Sequence, residues 1–528
     1  MLSYVLAALT GLCLLGLPVQ ALAAEAGLQF QAELPDAAEA GMEYALNRRT
    51  FQAYRGRGTL VLENHGAVSA EVYVNGHRVP LGDALTAGGR VRLDVGAWCQ
   101  DGVNALKVFH IRPLGARLTV GALYPELIRG TPEQAGFSSA GLKKVDEVIE
   151  RDVQKGFPGA VLLVVKNGRI VKETAYGWAK LYEGKTLLPE AQRQPMTTAT
   201  MFDLASETKM YAVIFSFMKL VDEGRVSPED LVSQYLPEYQ GDGRESVRIR
   251  DLMTHSAGYA PVPPLIPADS AFFSRDREKT LSLLMRLPFA YARGTKTVYS
   301  DTDYMLLTAV LERITGQRLD DYVEQAVYQP LGLKHTLFNP LRSGFAVRDF
   351  AATEPCGNTR SGLVDFPGIR TKTIQGEVQD ERAYYTMDGV SGHAGLFSRA
   401  EDLAVLVQLL LNEGGYGSYR LCSQETLAYF MKPTDRDARF GLGWNKMTGP
   451  ERFWEFGPYA SREAIAHSGW TGIDICIDPR YDLGIILLTN RVHALNLPGK
   501  PNAFTTDDAA TCSYGSIPSL IYEAFLEK

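Results

Sequence analysis

Two groups of strand-like segments stand at opposite ends of one long stretch, and they constrain the fold more than any other feature. Residues 159–165, GAVLLVV, form a short apolar run rich in Val and Leu, the pattern of a buried strand. A turn follows at Lys166-Asn167-Gly168-Arg169, and residues 170–178 predict the returning strand. About three hundred residues later, residues 464–468, 473–478 and 483–489 predict three more strands with tight turns between them, one at Pro479-Arg480-Tyr481. A helical pattern over 139–155 precedes the first group and another over 517–526 follows the second. The stretch between the groups is mostly helical in pattern. An isolated hairpin cannot bury its faces, so the two ends are expected to meet in one sheet. The fold class that results is α+β, an antiparallel sheet flanked by helices with a helical subdomain.

The chain has 528 residues, too many for one ordinary core. Residues 24–128 read as a separate β-rich domain. Strand patterns fall at 70–74, 91–95 and 105–111, Asn75-Gly76 is a hairpin turn, and the whole predicts a small β-sandwich. The phrases VYVNG and DGVNALKV resemble jelly-roll domains attached to carbohydrate-active enzymes; wall binding and simple packing are both open roles. Gly130-Thr131-Pro132 marks the start of a second domain, 129–528. Residues 2–19 are apolar, and Ala21-Leu22-Ala23 fits a signal-peptidase site, so residues 1–23 are expected to be a cleaved secretory signal. An uncleaved anchor is the alternative, since no Lys or Arg precedes Arg48. No later stretch is apolar enough to span a membrane.

The chemistry concentrates at Ser206-Glu207-Thr208-Lys209, expected at a helix start with apolar helical sequence running on to Val221. At a helix start the neighbouring N–H groups are unpaired, the dipole favours developing negative charge, and residue i+3 shares the face. Ser206 is therefore the candidate nucleophile. Lys209 is its candidate proton acceptor, provided that a dry, electropositive pocket lowers its pKa toward neutrality. A second copy of the spacing, Ser216 to Lys219, falls in the helix interior, about 280° round from Ser206 at about 100° per residue, and reads as chance. Tyr299-Ser300-Asp301, about ninety residues on, brings a phenol able to share the proton transfer. His467-Ser468-Gly469 ends a strand, and the Trp470 N–H is expected to pair with the Ser206 N–H as an oxyanion hole. His393, in Gly392-His393-Ala394-Gly395, has two open readings, a border of the pocket and, the one favoured, a glycine turn packed against the catalytic core; His255 reads as structural. The irregular stretch 376–383 receives no assigned role.

These elements carry a resemblance. From about residue 129 onward the chain resembles the serine β-lactamase-related superfamily, on the side of class C β-lactamases and low-molecular-mass penicillin-binding proteins. FDLASETKM, IRDLMTHSAGY, VYSDTDYMLL, VSGHAGLFSRAEDLAVL and HSGWTGIDICIDP carry it, and LGLKHTLFNPL brings it toward periplasmic penicillin-binding proteins of enterobacteria. The resemblance implies a β-lactamase/DD-peptidase-like fold, acylation of Ser206, and proton movement by Lys209 and Tyr299. It places Asp301 at the third position of the family's Tyr-x-Asn element and His467 at the lysine of Lys-Thr-Gly. Substrate contact would then fall to Asp301, His467, Ser468, Gly469 and Trp470. Both substitutions matter. A carboxylate cannot donate an amide N–H to a substrate carbonyl, and a histidine of ordinary pKa near 6.5 is only partly charged at neutrality. A relaxed substrate choice is expected.

The expected function is that of an exported, periplasmic D-alanyl-D-alanine carboxypeptidase-like hydrolase. Its partners would be peptidoglycan stem peptides or small esters, with β-lactams as covalent ligands. Esterase or β-lactamase activity at the same serine is the alternative, and a non-catalytic wall-binding protein is the alternative of another class. The net charge of −7 and the lack of a basic cluster speak against nucleic acid and anionic membrane surfaces. Scattered His residues, cysteines without CxxC spacing, and the absence of HExxH and Gly-x-Ser-x-Gly leave no metal, disulfide framework, α/β-hydrolase elbow or cofactor to expect.

Overall fold

The computed structural model describes residues 27–35, 47–86, 89–266 and 270–526. The expected signal segment lies outside them. Eight strands alternate along the N-terminal part: β1 (Leu28–Pro35), β2 (Arg48–Ala53), β3 (Thr59–His65), β4 (Ser69–Val74), β5 (His77–Val79), β6 (Arg90–Asp94), β7 (Gly102–Arg112) and β8 (Arg117–Leu123). They form two four-stranded sheets, β1-β8-β3-β6 and β2-β7-β4-β5, antiparallel throughout. The period-2 pattern explains the sandwich. Leu60, Leu62, Leu118 and Val120 from one sheet face Val72, Val74, Leu106 and Val108 from the other, all buried. Asn75 and Gly76 both take positive φ, 50° and 84°, which the tight β4–β5 hairpin requires.

The larger domain is built on the sheet that the sequence implies. Its strands are β9 (Gly159–Lys166), β10 (Arg169–Lys180), β11 (Gln194–Pro195), β12 (Asn445–Lys446), β13 (Ile465–Gly469), β14 (Ile473–Asp478) and β15 (Leu483–Thr489). Their order is β11-β10-β9-β15-β14-β13-β12, with Ile128–Arg129 added parallel to β10. The two ends of the domain meet at β9 and β15, where Ala160 pairs with Thr489 and Lys166 with Leu483. Every residue of β9, β14 and β15 is buried, as expected of strands covered on both faces.

One face is covered by α1 (Ser139–Gln154) and α5 (Ser516–Leu526). Ser138 caps α1, its Oγ accepting the Gly141 N–H at 3.2 Å, and Leu142, Val145 and Ile149 form the apolar stripe. The other face carries α4 (Ala400–Leu411) and the helical lobe, which includes α2 (Phe215–Asp222) and α3 (Asp301–Thr315). Among the described residues no helix is long and apolar enough to cross a membrane. Cys99, Cys356, Cys422, Cys476 and Cys512 are free thiols.

The helix expected to begin at Ser206 differs from a plain α-helix. Ala205–Glu207 is a 3₁₀ turn, Lys209–Ile214 is π-helical, and α-helix begins only at Phe215. Every residue from Lys209 to Ile214 is buried, so packing on all sides overrides local helical preference. Three carboxyls beside this segment interrupt the apolar core. Glu207 and Asp474 are fully buried, with neither oxygen of either group partnered. Burial, and then mutual repulsion with each other and with Glu455, raises both well above the carboxylate range.

The sandwich and the larger domain touch through polar groups. Arg57 donates to the Gly168 carbonyl at 2.9 Å and the Asn167 carbonyl at 2.9 Å, at the tip of the β9–β10 hairpin. Gln408 of α4 donates to the buried Tyr54 hydroxyl at 2.8 Å. All candidate site residues lie after Arg129. A chain beginning at Arg129 is expected to turn over a small ester within a few-fold of the whole protein, melting a few degrees lower because these bonds are lost. A folded but inactive truncation would show that the sandwich helps to build the site.

The buried acids have a pH signature. Between the unfolded pKa near 4.5 and the raised folded pKa, the unfolded chain loses a proton that folded Glu207 keeps, so stability falls as pH rises. Glu207→Gln should remove about 1.4 kcal/mol per pH unit from that slope. Denaturant titrations between about pH 5 and 8 measure it, and a slope unchanged by the substitution would contradict the assignment.

Candidate active site

Ser206 is set by a short strained turn. Ala205 takes φ 46°, an uncommon value for a residue with a side chain, and its N–H is held by Asp203 Oδ1 at 2.9 Å. The other Asp203 oxygen accepts the Gln379 N–H at 2.6 Å, and its carbonyl accepts the Thr471 hydroxyl at 2.7 Å. Burial pushes the Asp203 carboxyl up to about 6, with the two N–H donors working against it. The turn lies against the end of β13: a Cβ on Gly469 would come within 2.4 Å of the Leu204 carbonyl oxygen. Only glycine lets the strand approach so closely, which brings Ser468, Gly469 and Trp470 to the same cavity as Ser206.

In a 3₁₀ turn residues i and i+3 eclipse, so Lys209 stays on the Ser206 face. Its Nζ donates to Ser206 Oγ at 3.0 Å, to Asp301 Oδ1 at 2.9 Å and to the His393 carbonyl at 3.2 Å. The three donors of the ammonium thus have three acceptors. Tyr299 closes the group, its hydroxyl donating to Ser206 Oγ at 2.6 Å. Tyr299 is 41% exposed and lines the cavity, with Lys209 Nζ 4.7 Å from the centre of its ring. Desolvation there raises the phenol, and the charge of Lys209 opposes the rise.

Lys209 corrects one expectation. Its pocket is not electropositive. Burial alone would depress its pKa, but Asp301 and Tyr299 outweigh burial and raise it above the ordinary lysine range. The resting residue is an ammonium. Asp301, expected against the substrate, uses Oδ1 on Lys209 and lines the cavity with the rest of its side chain, which is 16% exposed. His467 corrects another. The ring is buried, Nδ1 has no partner, and burial followed by the charge of Lys209 pushes its pKa down to about 3. It is neutral at pH 7, not partly charged.

Two further histidines sit close to the chemistry: His255, read as structural from sequence, and His393, which lines the cavity as its less favoured reading had it. His255, buried at φ 55°, accepts the Ser300 N–H on Nδ1 at 3.1 Å, and its ring lies 4.7 Å from that of Tyr299. It buttresses the phenol, and burial pushes it down to about 3. His393 bridges Ser391 Oγ at 2.7 Å and Asp380 Oδ1 at 2.9 Å while its carbonyl receives Lys209. A Cβ on Gly392 would meet the Tyr304 carbonyl at 2.3 Å, so glycine lets this loop sit on α3. Ser216 lies in the helix interior, its hydroxyl bonded to the Ala212 carbonyl at 2.6 Å, and Lys219 pairs with Glu223.

The cavity measures about 620 Å³. One wall contains Gln379 to Arg382, from the irregular stretch that had no assigned role; its length was the available signal. Another wall contains Arg452 and Arg491, which sequence reading missed because isolated arginines carry no pattern. The Arg491 guanidinium lies 5.3 Å from the centre of the Trp470 ring and pairs with Asp507. Arg452 pairs with Glu455, and its buried Nε has no partner. Among the described residues no cluster of His, Cys, Asp or Glu is arranged to hold a metal ion.

Comparison with known proteins agrees with this geometry. The Beta-lactamase family description matches residues 145–506. A relative from Bacillus subtilis (strain 168), named "N-acetylmuramyl-L-alanine amidase", is 47% identical over 432 residues, covering 80% of this chain and 97% of its own. Another from Escherichia coli (strain K12), named "Putative D-alanyl-D-alanine carboxypeptidase", is 43% identical over 418 residues, covering 77% and 96%. Among solved structures, a penicillin-binding protein homologue from Caulobacter crescentus superposes with a TM-score of 0.54 at 19% identity, over 74% of this chain and 99% of its own, a likeness of fold. With its antiparallel sheet, and with Ser206 bonded to Lys209 and Tyr299 at the edge of the cavity, the chain belongs to the Beta-lactamase family.

Proposed function

We propose that this protein is an exported serine hydrolase that opens amide bonds of peptidoglycan peptides through an acyl-enzyme, in the manner of a D-alanyl-D-alanine carboxypeptidase. The observation that carries the reading is Ser206 Oγ, held at 3.0 Å from Lys209 Nζ and 2.6 Å from the Tyr299 hydroxyl, at the edge of an open cavity. Once the Lys209–Tyr299 pair has given up one proton, Ser206 Oγ attacks the scissile carbonyl and its proton passes into that pair. The leaving amine takes a proton from that pair as the C–N bond breaks, and water later releases the acyl group by the reverse path. The Ser206 and Trp470 N–H groups are the candidate oxyanion donors. A strained β-lactam amide would acylate the same oxygen.

A second reading is the amide bond between muramic acid and L-alanine. The name of the B. subtilis relative supports it, as does the neutral His467 at the place where the resemblance puts a charged carboxylate-binding lysine. A free terminal carboxylate would have to rely on the arginines that line the cavity, Arg360, Arg382, Arg452 and Arg491, for charge. Ester hydrolysis at the same serine remains compatible with both readings.

Purified muropeptides, digested and resolved by mass spectrometry, separate these readings. Release of one D-alanine supports the carboxypeptidase; release of a whole stem peptide supports the amidase. Binding without turnover would sink both and favour a wall-binding protein. Ser206→Ala should abolish all products and the labelling by a fluorescent penicillin, and Lys209→Ala should slow acylation by about 10² or more. An adduct on any other serine would overturn the nucleophile.

The state of His467 makes a further prediction. Because its folded pKa is about 3, the ring keeps one form across neutrality. The ratio of kcat/KM for a carboxylate-bearing peptide to that for a neutral ester should be flat between about pH 5 and 8, since kcat/KM reports the free enzyme. A ratio falling through about pH 6.5 would mean that the ring titrates as an exposed histidine does.

A further inference from the structure

We propose that Asp301 sets the pH at which Ser206 becomes a nucleophile, by neutralising the charge of Lys209 rather than by contacting substrate. The proposal rests on the acyl-enzyme reading of Ser206. Its basis is the ring of groups around one buried ammonium. Of the three acceptors on Lys209 Nζ, Ser206 Oγ and the His393 carbonyl are neutral, and Asp301 at 2.9 Å is the carboxylate. The rings of Tyr299 and Tyr304 face the ammonium at 4.7 and 5.7 Å. His255 and His467 flank it, both buried and neutral. Glu207 and Asp303, two further carboxyls that feel the ammonium, are fully buried, and burial raises both well above the carboxylate range; Asp303 Oδ2 lies 3.1 Å from His255 Nδ1. Asp301 begins α3, whose N-terminal end favours negative charge, and its N–H is fixed to the Pro261 carbonyl at 3.0 Å.

The consequence follows from charge alone. Activation of Ser206 needs a group to take its proton, either Lys209 after losing one of its own or Tyr299 as a phenolate. The negative charge of Asp301 holds the proton on both: it stabilises the ammonium and repels a phenolate. Removing that charge lowers the pKa of either base, so the direction of the effect does not depend on which one acts. Asp301 itself exchanges no proton. The Ser206 Oγ–C bond forms, the bond from the carbonyl carbon to the leaving group breaks, and the serine proton travels through the base to the leaving atom. Asp301 is thus a positioning residue whose output is a pH.

The test is the pH profile of kcat/KM for a neutral short-chain nitrophenyl ester, a substrate that does not depend on the peptidoglycan reading. In Asp301→Asn the acid limb should lie about one to three pH units lower than in the wild type, the usual range for one adjacent charge. At pH values below the wild-type limb the variant should be about 10-fold faster or more. Asp301→Glu, which keeps the charge, should hold the limb within a few tenths of a pH unit. Asp301→Ala gives the same readout as the Asn variant if that variant folds poorly. A limb that stays in place while the rate drops at every pH would overturn the proposal and leave Asp301 as a structural residue. Ester turnover that survives Ser206→Ala would instead overturn the nucleophile assignment, an outcome distinct from failure at Asp301.

Discussion

A single buried ammonium ties this active site together. Lys209 is fully buried, and its three N–H bonds reach three separate pieces of chain: the strained serine turn, the first residue of α3, and the glycine loop at His393. A charge in that position carries a desolvation penalty of several kcal/mol unless each donor is matched. Each is matched, so the turn, the helix and the loop are all held to the position of one nitrogen. The strain at Ala205 persists because Asp203 and the close-packed Gly469 fix the turn from two other sides.

The surroundings economise on charge. His255 and His467 are kept neutral by burial, and burial followed by mutual repulsion raises Glu207 and Asp474 well above the carboxylate range. Beneath the serine the close charged pair is Lys209 and Asp301. Further charge sits on the walls, on Arg360, Arg382, Arg452 and Arg491 and on Asp380 and Glu381, where an incoming substrate meets it. Such an arrangement separates the task of activating the serine from the task of choosing what it attacks.

Much of this was legible in the order of the residues. The strands at 473–478 and 483–489 and the helix at 139–154 follow directly from apolar periodicity, and the antiparallel sheet joining both ends follows from the need to bury them. The grouping of Ser206, Lys209 and Tyr299 was legible because each stands in a short motif with local geometry behind it. The π-helical stretch after Thr208 was not, since it arises from packing on every side of Lys209 to Ile214. The ionisation of Lys209 and His467 was also beyond the sequence. It depends on which groups a tertiary fold places within a few ångströms, and Asp301 lies ninety-two positions away from Lys209. The role of His255 as a support for Tyr299 hides for the same reason.

The pairing of β9 with β15 carries a consequence for how the protein comes into being. The serine turn follows the first strands, whereas Gly469 and Trp470, which complete its cavity, follow most of the domain, and the sheet that joins them closes only through β15. Contacts so distant along the chain form late, because the entropy of closing a long loop must be overcome before they contribute. A growing chain therefore carries its serine turn before the Gly469 and Trp470 side of the cavity exists. The site is thus assembled from both ends of its domain at once, and the order of the chain makes its nucleophile wait for its own surroundings.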